Sequence, residues 1–305
     1  MDYPLYIFVR LLIGALNVLP LRLRTLVLAI LIRVLTIPFP RVRATSRRNL
    51  RLAFPDLSQK ERDLLLQQSF TSLARLVVDF ARLDSLDAAW VNKHVSCPFL
   101  PRFREIKKQH PGKGIVIATG HLGSFELLAH CVAMYGHPIS FVVRLFELRR
   151  INRWWTGIRE RYGNRVISRD GAFKHIMADL QQGRDVGILF DQNVKRNHAV
   201  FVDWFGKNAA TTKSVALAAL RTEAPVVVAA VVCRGDDNYE ILAEECDFAA
   251  LYADTSIDSE EKVRRITQEV SNRYIAFIRQ SPGEWFWLHR RWKTAPEGQA
   301  EKFYA

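Results

Sequence analysis

Four polar residues stand where short apolar runs of the chain end. His121 and Glu126, with four residues between them, lie in "GHLGSFE" directly after "GIVIAT"; Arg144 closes "PISFVVR"; Asp191 follows "DVGILF". A carboxylate bonded to one ring nitrogen of a histidine fixes the tautomer and raises basicity at the other nitrogen, which makes an oriented general base. An arginine nearby offers a planar donor fork to an oxyanion or a phosphate. In one continuous helix, residues five apart are separated by about 140°. His121 and Glu126 therefore meet only if the histidine is in a loop and the glutamate in the first helical turn. Gly120 and Gly123 permit that tight path. Ser124 as cap leaves Glu126 where the helix dipole favours a carboxylate. Ser124 itself is a poor nucleophile candidate, because G-S-F-E lacks the glycine pattern of a nucleophile elbow. Spacing alone also fits a plain hydrogen-bonded cap pair, and both readings stand at this point.

The elements that must position these residues follow from the hydrophobic periodicity. "GIVIATG", "PISFVVR", "RVIS" and "DVGILF" read as strands, with helices near 123–135, 149–162 and 172–183 between them. This alternation predicts an α/β fold with a largely parallel central sheet covered by helices. On parallel strands His121, Arg144 and Asp191 leave the same edge, where open α/β sheets bind ligands. A long apolar strand, "PVVVAAVVCR", a more polar one, "NYEILAEEC", and a helix over about 259–279 complete the pattern. Upstream, Ser58 to Glu61 reads as a capping box that opens a helix to about Arg82. No repeat, low-complexity segment or composition break marks a second globular domain.

With 305 residues, 49% of them hydrophobic, the chain can bury a large core, and disorder is excluded. The net charge of +13 requires an acidic partner: nucleic acid, an anionic membrane surface, or an acidic protein or lipid. The location of the charge separates these. Before Asp56 the only acid is Asp2, while nine arginines are interleaved with apolar segments, the pattern of a membrane-surface element. "YPLYIFVRLLIGALNVLPL" and "TLVLAILIRVLTIPFP" are interrupted by Arg10 and Arg33, so neither is a clean run of about 18–20 residues. Residues 1–40 are read as a membrane anchor, either one spanning helix near 4–20 or two helices in the interface. Buried core helices of a soluble protein are the bland alternative. Arginines near the ends can snorkel, and "RVRATSRRNLR" would hold residues 41–305 on the cytoplasmic side. Cys97, Cys131, Cys233 and Cys246 have no metal-ligand spacing and are expected as reduced thiols; no metal is expected. No nucleic-acid motif is present, and no nucleic-acid partner is expected.

The motif "GHLGSFE" resembles the H-x4-D/E motif of glycerolipid acyltransferases. The wider pattern is similar to the bacterial lipid A biosynthesis acyltransferase family over nearly the whole chain. It includes "RRNLRLAFPDLSQKER", "VVR" at Arg144, "ILFDQN" at Asp191, "VFVDWFGKNAATTKSVALAAL" and "PGEWFWLHRRWKTAPEG". The resemblance implies an acyltransferase domain over 41–305. It implies acyl transfer from acyl carrier protein, or acyl-CoA, to a hydroxyl of a membrane glycolipid precursor at the cytoplasmic face of the inner membrane, with the donor thioester and no further cofactor. His121 would take the proton from the acceptor hydroxyl, and Glu126 would hold His121. Arg144 would stabilise negative charge, Asp191 would orient Arg144 or a substrate hydroxyl, and Lys195 would meet lipid phosphates. Relatives with this motif also act on other glycolipids, lysophospholipids and aminolipids, so the acceptor is left open. Thr211 and Thr212 are expected to cap the helix that follows them. The aromatic and basic stretch 285–293 would touch the membrane, bind the carrier protein or finish the core, with His289 structural.

Overall fold

A computed structural model describes residues 2–145, 147–235, 237–298 and 303–304. Two apolar helices, α1 (Asp2–Val18) and α2 (Leu21–Leu35), are separated at Pro20, and the basic α3 (Pro40–Ala53) follows. The Ser58 capping box forms in full at the start of α4 (Gln59–Arg82): the Ser58 hydroxyl accepts from the Glu61 N–H, and Glu61 Oε2 accepts from the Ser58 N–H at 2.7 Å. Leu66, Phe70, Ala74 and Val78 repeat every fourth residue along its buried face. Asp87 caps α5 (Ala88–His94), which leads into a two-residue strand, β1 (Val95–Ser96), and α6 (Leu100–Gln109).

The expected alternation comes next: β2 (Val116–Thr119), α7 (Phe125–Met134), β3 (Ile139–Val143), α8 (Arg149–Glu160), β4 (Arg165–Ser168), α9 (Ala172–Gln181) and β5 (Asp185–Leu189). A hairpin of β6 (Ala199–Asp203) and β7 (Asn208–Thr212), α10 (Ser214–Thr222), β8 (Val226–Gly235), β9 (Asn238–Cys246), α11 (Ala249–Ala253) and α12 (Ser259–Gln280) complete the chain. The seven-stranded sheet has the order β1-β9-β8-β2-β5-β3-β4; β8 and β9 pair antiparallel and every other pair is parallel.

Strand alternation sorts side chains into two cores, as a sheet covered on both faces requires. Val116, Ala118, Val226 and Val228 pack with α9, α10, α12 and the early part of α4; Ile115, Ile117, Val227 and Ala229 pack with α5, α6, α7 and α8.

Thr211 and Thr212 depart from expectation, because the hairpin claims them. Thr211 pairs with Val200 inside β7, and its hydroxyl accepts from Arg291. The Thr212 hydroxyl does accept from the Ser214 N–H at 3.3 Å, ahead of the cap position at Lys213.

The first helices differ from the rest of the surface. Among the described residues, sixteen of the twenty exposed large hydrophobic side chains, Tyr3 to Phe39, precede residue 40, so their exposed apolar surface is concentrated on α1, α2 and the turn after them. No single described helix is long and apolar enough to cross a membrane; α2 and α3 pass that test only together, as a pair bent by 107°. These helices also pack on the sheet-bearing part. Tyr6 meets Trp154 of α8 edge to face at 6.3 Å, and the Asn17 amide donates to the Ala81 carbonyl.

Candidate active site

Strand register builds the site. Thr119 of β2 lies opposite Leu189 of β5, so two residues further on His121 comes beside Asp191. His121 Nδ1 is 2.8 Å from Asp191 Oδ1, while Asp191 Oδ2 accepts from the His121 N–H and from Trp285 Nε1–H, both at 2.8 Å. An ionised carboxylate only accepts, so Nδ1 carries the proton, and in the neutral ring the lone pair is on Nε2. Gln192 Nε2 lies 3.2 Å from His121 Nε2. Burial pushes the Asp191 carboxyl up, but the adjacent His121 and the hydrogen bonds from its side chain, its backbone and Trp285 outweigh this and hold it below the ordinary value.

Two glycines make the turn possible. A Cβ on Gly120 would stand 2.4 Å from Asp191 Cγ and 2.7 Å from the Tyr274 hydroxyl, which accepts from the Leu122 N–H. Gly123 has φ +63°, and a Cβ there would meet the Val231 carbonyl at 1.9 Å. Ser124 takes the cap position without a side-chain cap bond, and Glu126 falls in the first turn of α7.

The expected contact between Glu126 and His121 is not formed. Glu126 faces α8, where Arg159 grips it as a fork, Nη2 to Oε1 at 2.5 Å and Nε to Oε2 at 3.1 Å. Asp191 holds the histidine because it arrives from the neighbouring strand end at the same height, and it therefore orients His121 and not Arg144. Glu126, Arg159 and the exposed Arg144 line one cavity of about 200 Å³ with an apolar interior that includes Ile117, Leu128, Val132 and Phe141. Phe125, also on its wall, packs edge to face on the His121 ring at 4.9 Å. Lys195 is exposed in the loop beyond β5 and does not line this cavity. Among the described residues no group of three or more His, Cys, Asp or Glu side chains could hold a metal ion.

The stretch 285–293 finishes the core. Trp285, Trp287 and Trp292 are buried, and the wholly buried Arg291 stacks over Trp204 at 4.3 Å and donates to the Ala210 carbonyl. His289 is structural: Nε2 accepts from the Asn193 N–H at 2.8 Å, and burial lowers its pKa to about 4. Sequence reading passed over Gln192, Trp285, Tyr274 and Arg159. Gln192 and Trp285 lie inside segments already marked by the resemblance; nothing in the local sequence of Tyr274 or Arg159 sets them apart.

Fold and site together define a class: an α/β protein with a histidine–carboxylate pair at the edge of its sheet beside an apolar cavity. The chain belongs to the bacterial lipid A biosynthesis acyltransferase family, whose profile matches residues 1–294. A lipid A biosynthesis acyltransferase of Haemophilus influenzae is 26% identical over 265 residues, 86% of this chain and 80% of that protein. The lipid A biosynthesis palmitoleoyltransferase of Escherichia coli K12 is 23% identical over 85% of this chain and 81% of its own length, and the lauroyltransferase of the same organism 24% over 84% and 80%. The protein is accordingly an acyltransferase, of a family that works in lipid A biosynthesis.

Proposed function

We propose that the protein moves a fatty acyl chain from the thioester of acyl carrier protein, or of acyl-CoA, to a hydroxyl of a lipid A precursor, with His121 as general base. The observation that carries this reading is the Nδ1–Asp191 bond, which leaves Nε2 of the neutral ring as the acceptor, facing the Gln192 amide. The acceptor hydroxyl displaces the Gln192 amide from Nε2 and gives up its proton there. Its oxygen attacks the thioester carbonyl directly, the tetrahedral intermediate expels the thiolate, and the imidazolium, stabilised by Asp191, returns the proton to the leaving sulfur. No acyl-enzyme is required.

The acyl chain enters the apolar cavity, and Arg159 and Arg144 at its polar lining stabilise the oxyanion or a substrate phosphate. Glu126 acts through Arg159, whose fork it holds in place. Lys195, free in its loop, meets phosphate at longer range. No resident cofactor takes part. Residues 1–40 anchor the protein at the cytoplasmic face of the inner membrane; the exposed apolar side chains of α1 and α2 and the arginines among them support an interfacial seat on anionic lipid. Residues 41–305 form the acyltransferase domain.

The test is a mass-spectrometric transfer assay in detergent with both donors, offering a lipid A precursor beside lysophospholipids. A gain of one acyl chain on the precursor alone, lost in His121→Ala and Asp191→Asn, is expected. Equal gain on a lysophospholipid would move the acceptor to another class, and unimpaired turnover by folded His121→Ala would overturn the mechanism.

A further inference from the structure

A second cavity lies behind the catalytic turn, about 550 Å³ in volume, between α2, α4 and residues 280–284. That size is in the range of small-molecule sites, about 300–1,000 Å³. Its wall is unlike that of the acyl cavity. Arg33 of α2 and Arg75 of α4 line it, with Gln67, Gln68, Thr71 and Ser72 between them. Arg33 Nε and Arg75 Nη1 are buried and have no hydrogen-bond partner among the described residues. Arg33 Nη2 makes only long contacts, 3.3 Å to the Gln67 carbonyl and 3.4 Å to Thr71 Oγ1. Buried donors are almost always satisfied in folded proteins, and an unsatisfied charged one is expensive.

Among the described residues Glu284 is the single acid on the wall, and it forms no ion pair with either guanidinium: its Oε2 accepts from the Cys233 N–H at 3.0 Å. Burial pushes its carboxyl up to about 7, which weakens its opposition to an anion. Two guanidinium groups on one wall, with hydroxyl and amide groups between them, suit a tetrahedral oxyanion; the two unpartnered nitrogens are closed off from the cavity as the side chains lie and meet the anion after a rotamer change. The surroundings add a hydrocarbon component. Leu64 on the wall is exposed, and beside Arg33 the helix presents exposed Ile30, Leu31 and Val34.

We propose that the cavity between α2 and α4 is a phosphate-binding site in which Arg33 and Arg75 grip a phosphomonoester or phosphodiester, carried by a lipid headgroup or free in solution. The site is separate from the acyl cavity and does not rest on the reaction assigned there. It shares one wall with the catalytic turn, since the Glu284 carbonyl accepts from the Gly123 N–H at 3.1 Å.

The experiment is thermal unfolding of the full chain in a neutral detergent. The probes are inorganic phosphate against chloride at matched ionic strength, and dihexanoylphosphatidylglycerol against phosphate-free dihexanoylglycerol. A saturable rise in Tm with a phosphate-bearing probe is expected, with apparent affinity weakened about tenfold or more in Arg75→Gln and in Arg33→Gln. Thr71→Glu, at an exposed position of α4 on the cavity wall, sets a carboxylate in the anion's place and abolishes the rise without touching the core. A response to the lipid alone identifies a headgroup site, and a response to both probes or to phosphate alone a site for the free anion. Either supports the proposal. No saturable rise beyond the controls, or a rise that survives in Thr71→Glu, overturns it; where Arg75→Gln fails to fold, Thr71→Glu decides.

Discussion

Asp191 and Glu126 are carboxylates on either side of one histidine turn, and the molecule treats them differently. Asp191 is 2% exposed, joined to His121 through both oxygens, and further fixed by Trp285. Its place is set by backbone pairing between β2 and β5, with no side-chain freedom to spend. Glu126 is set by one helical turn and one arginine on α8, a partner that arrives from a different element. Spacing within a motif says which residues are near a site, while strand register says which of them touch. An H-x4-E spacing draws the eye to the nearer carboxylate in sequence; the carboxylate bonded to the histidine is seventy residues downstream.

Replacing His121, Asp191 and Glu126 separately should give three unequal losses. His121→Ala removes the base, and turnover falls on the order of 10²–10⁴-fold with the fold retained. Asp191→Asn leaves a side chain of the same shape but frees the tautomer, and a loss on the order of 10³-fold in kcat is expected. Glu126→Gln keeps His121 in place and loosens only Arg159, so its loss is smaller, on the order of 10²-fold, as for one lost oxyanion donor. Initial rates of the three purified variants check this ranking. If Glu126→Gln proves as damaging as His121→Ala while Asp191→Asn stays active, the assignment of the orienting carboxylate is wrong.

Gly120→Ala disturbs Asp191 without removing any functional group. The new methyl would stand 2.4 Å from Asp191 Cγ, so the carboxylate must move away from the histidine. Turnover should fall about as far as in Asp191→Asn, with a loss of about 1–3 kcal/mol in stability from overpacking. Arg159 and Glu126 lie on α8 and α7 and are not displaced. Denaturant unfolding together with kcat separates the two effects, and an active Gly120→Ala would show that the contact tolerates a shift.

How much of this was legible follows from the same physics. The four strands and three helices from 116 to 189 were readable because each is a short apolar run or an amphipathic stretch bounded by turn residues. The sheet edge shared by His121, Arg144 and Asp191 followed from parallel strands alone. What could not be read was the order β2-β5-β3, in which a later strand inserts between two earlier ones and brings Asp191, not Arg144, beside the histidine. The β6–β7 hairpin was hidden because "VFVDWFGKNAATT" carries its turn in a left-handed Phe205–Gly206 pair, with no Asn-Gly or Asp-Gly signal. Trp285 and Tyr274 join the site from the far end of the chain, and no local pattern announces contacts across 94 and 152 residues.

A third carboxylate extends the contrast to pH. Asp191 is held below its ordinary value, so its contribution to stability is present above that value and is lost as the pH falls through the folded-state pKa. Glu284 is the reverse case. Its oxygen meets only a backbone N–H, and burial raises its pKa to about 7. The folded state therefore prefers the protonated form. Stability from this group is full below the ordinary glutamate value of about 4.3 and is lost as the pH rises through about 7. Glu284→Gln fixes a neutral side chain of the same shape, so it should remove a decline of about 1–3 kcal/mol between those limits and leave the acid limb governed by Asp191 unchanged. Urea midpoints measured from pH 4 to 8 for both proteins check it. Parallel curves would mean that Glu284 is ionised in the folded protein, and that the two carboxylates differ in burial but not in charge.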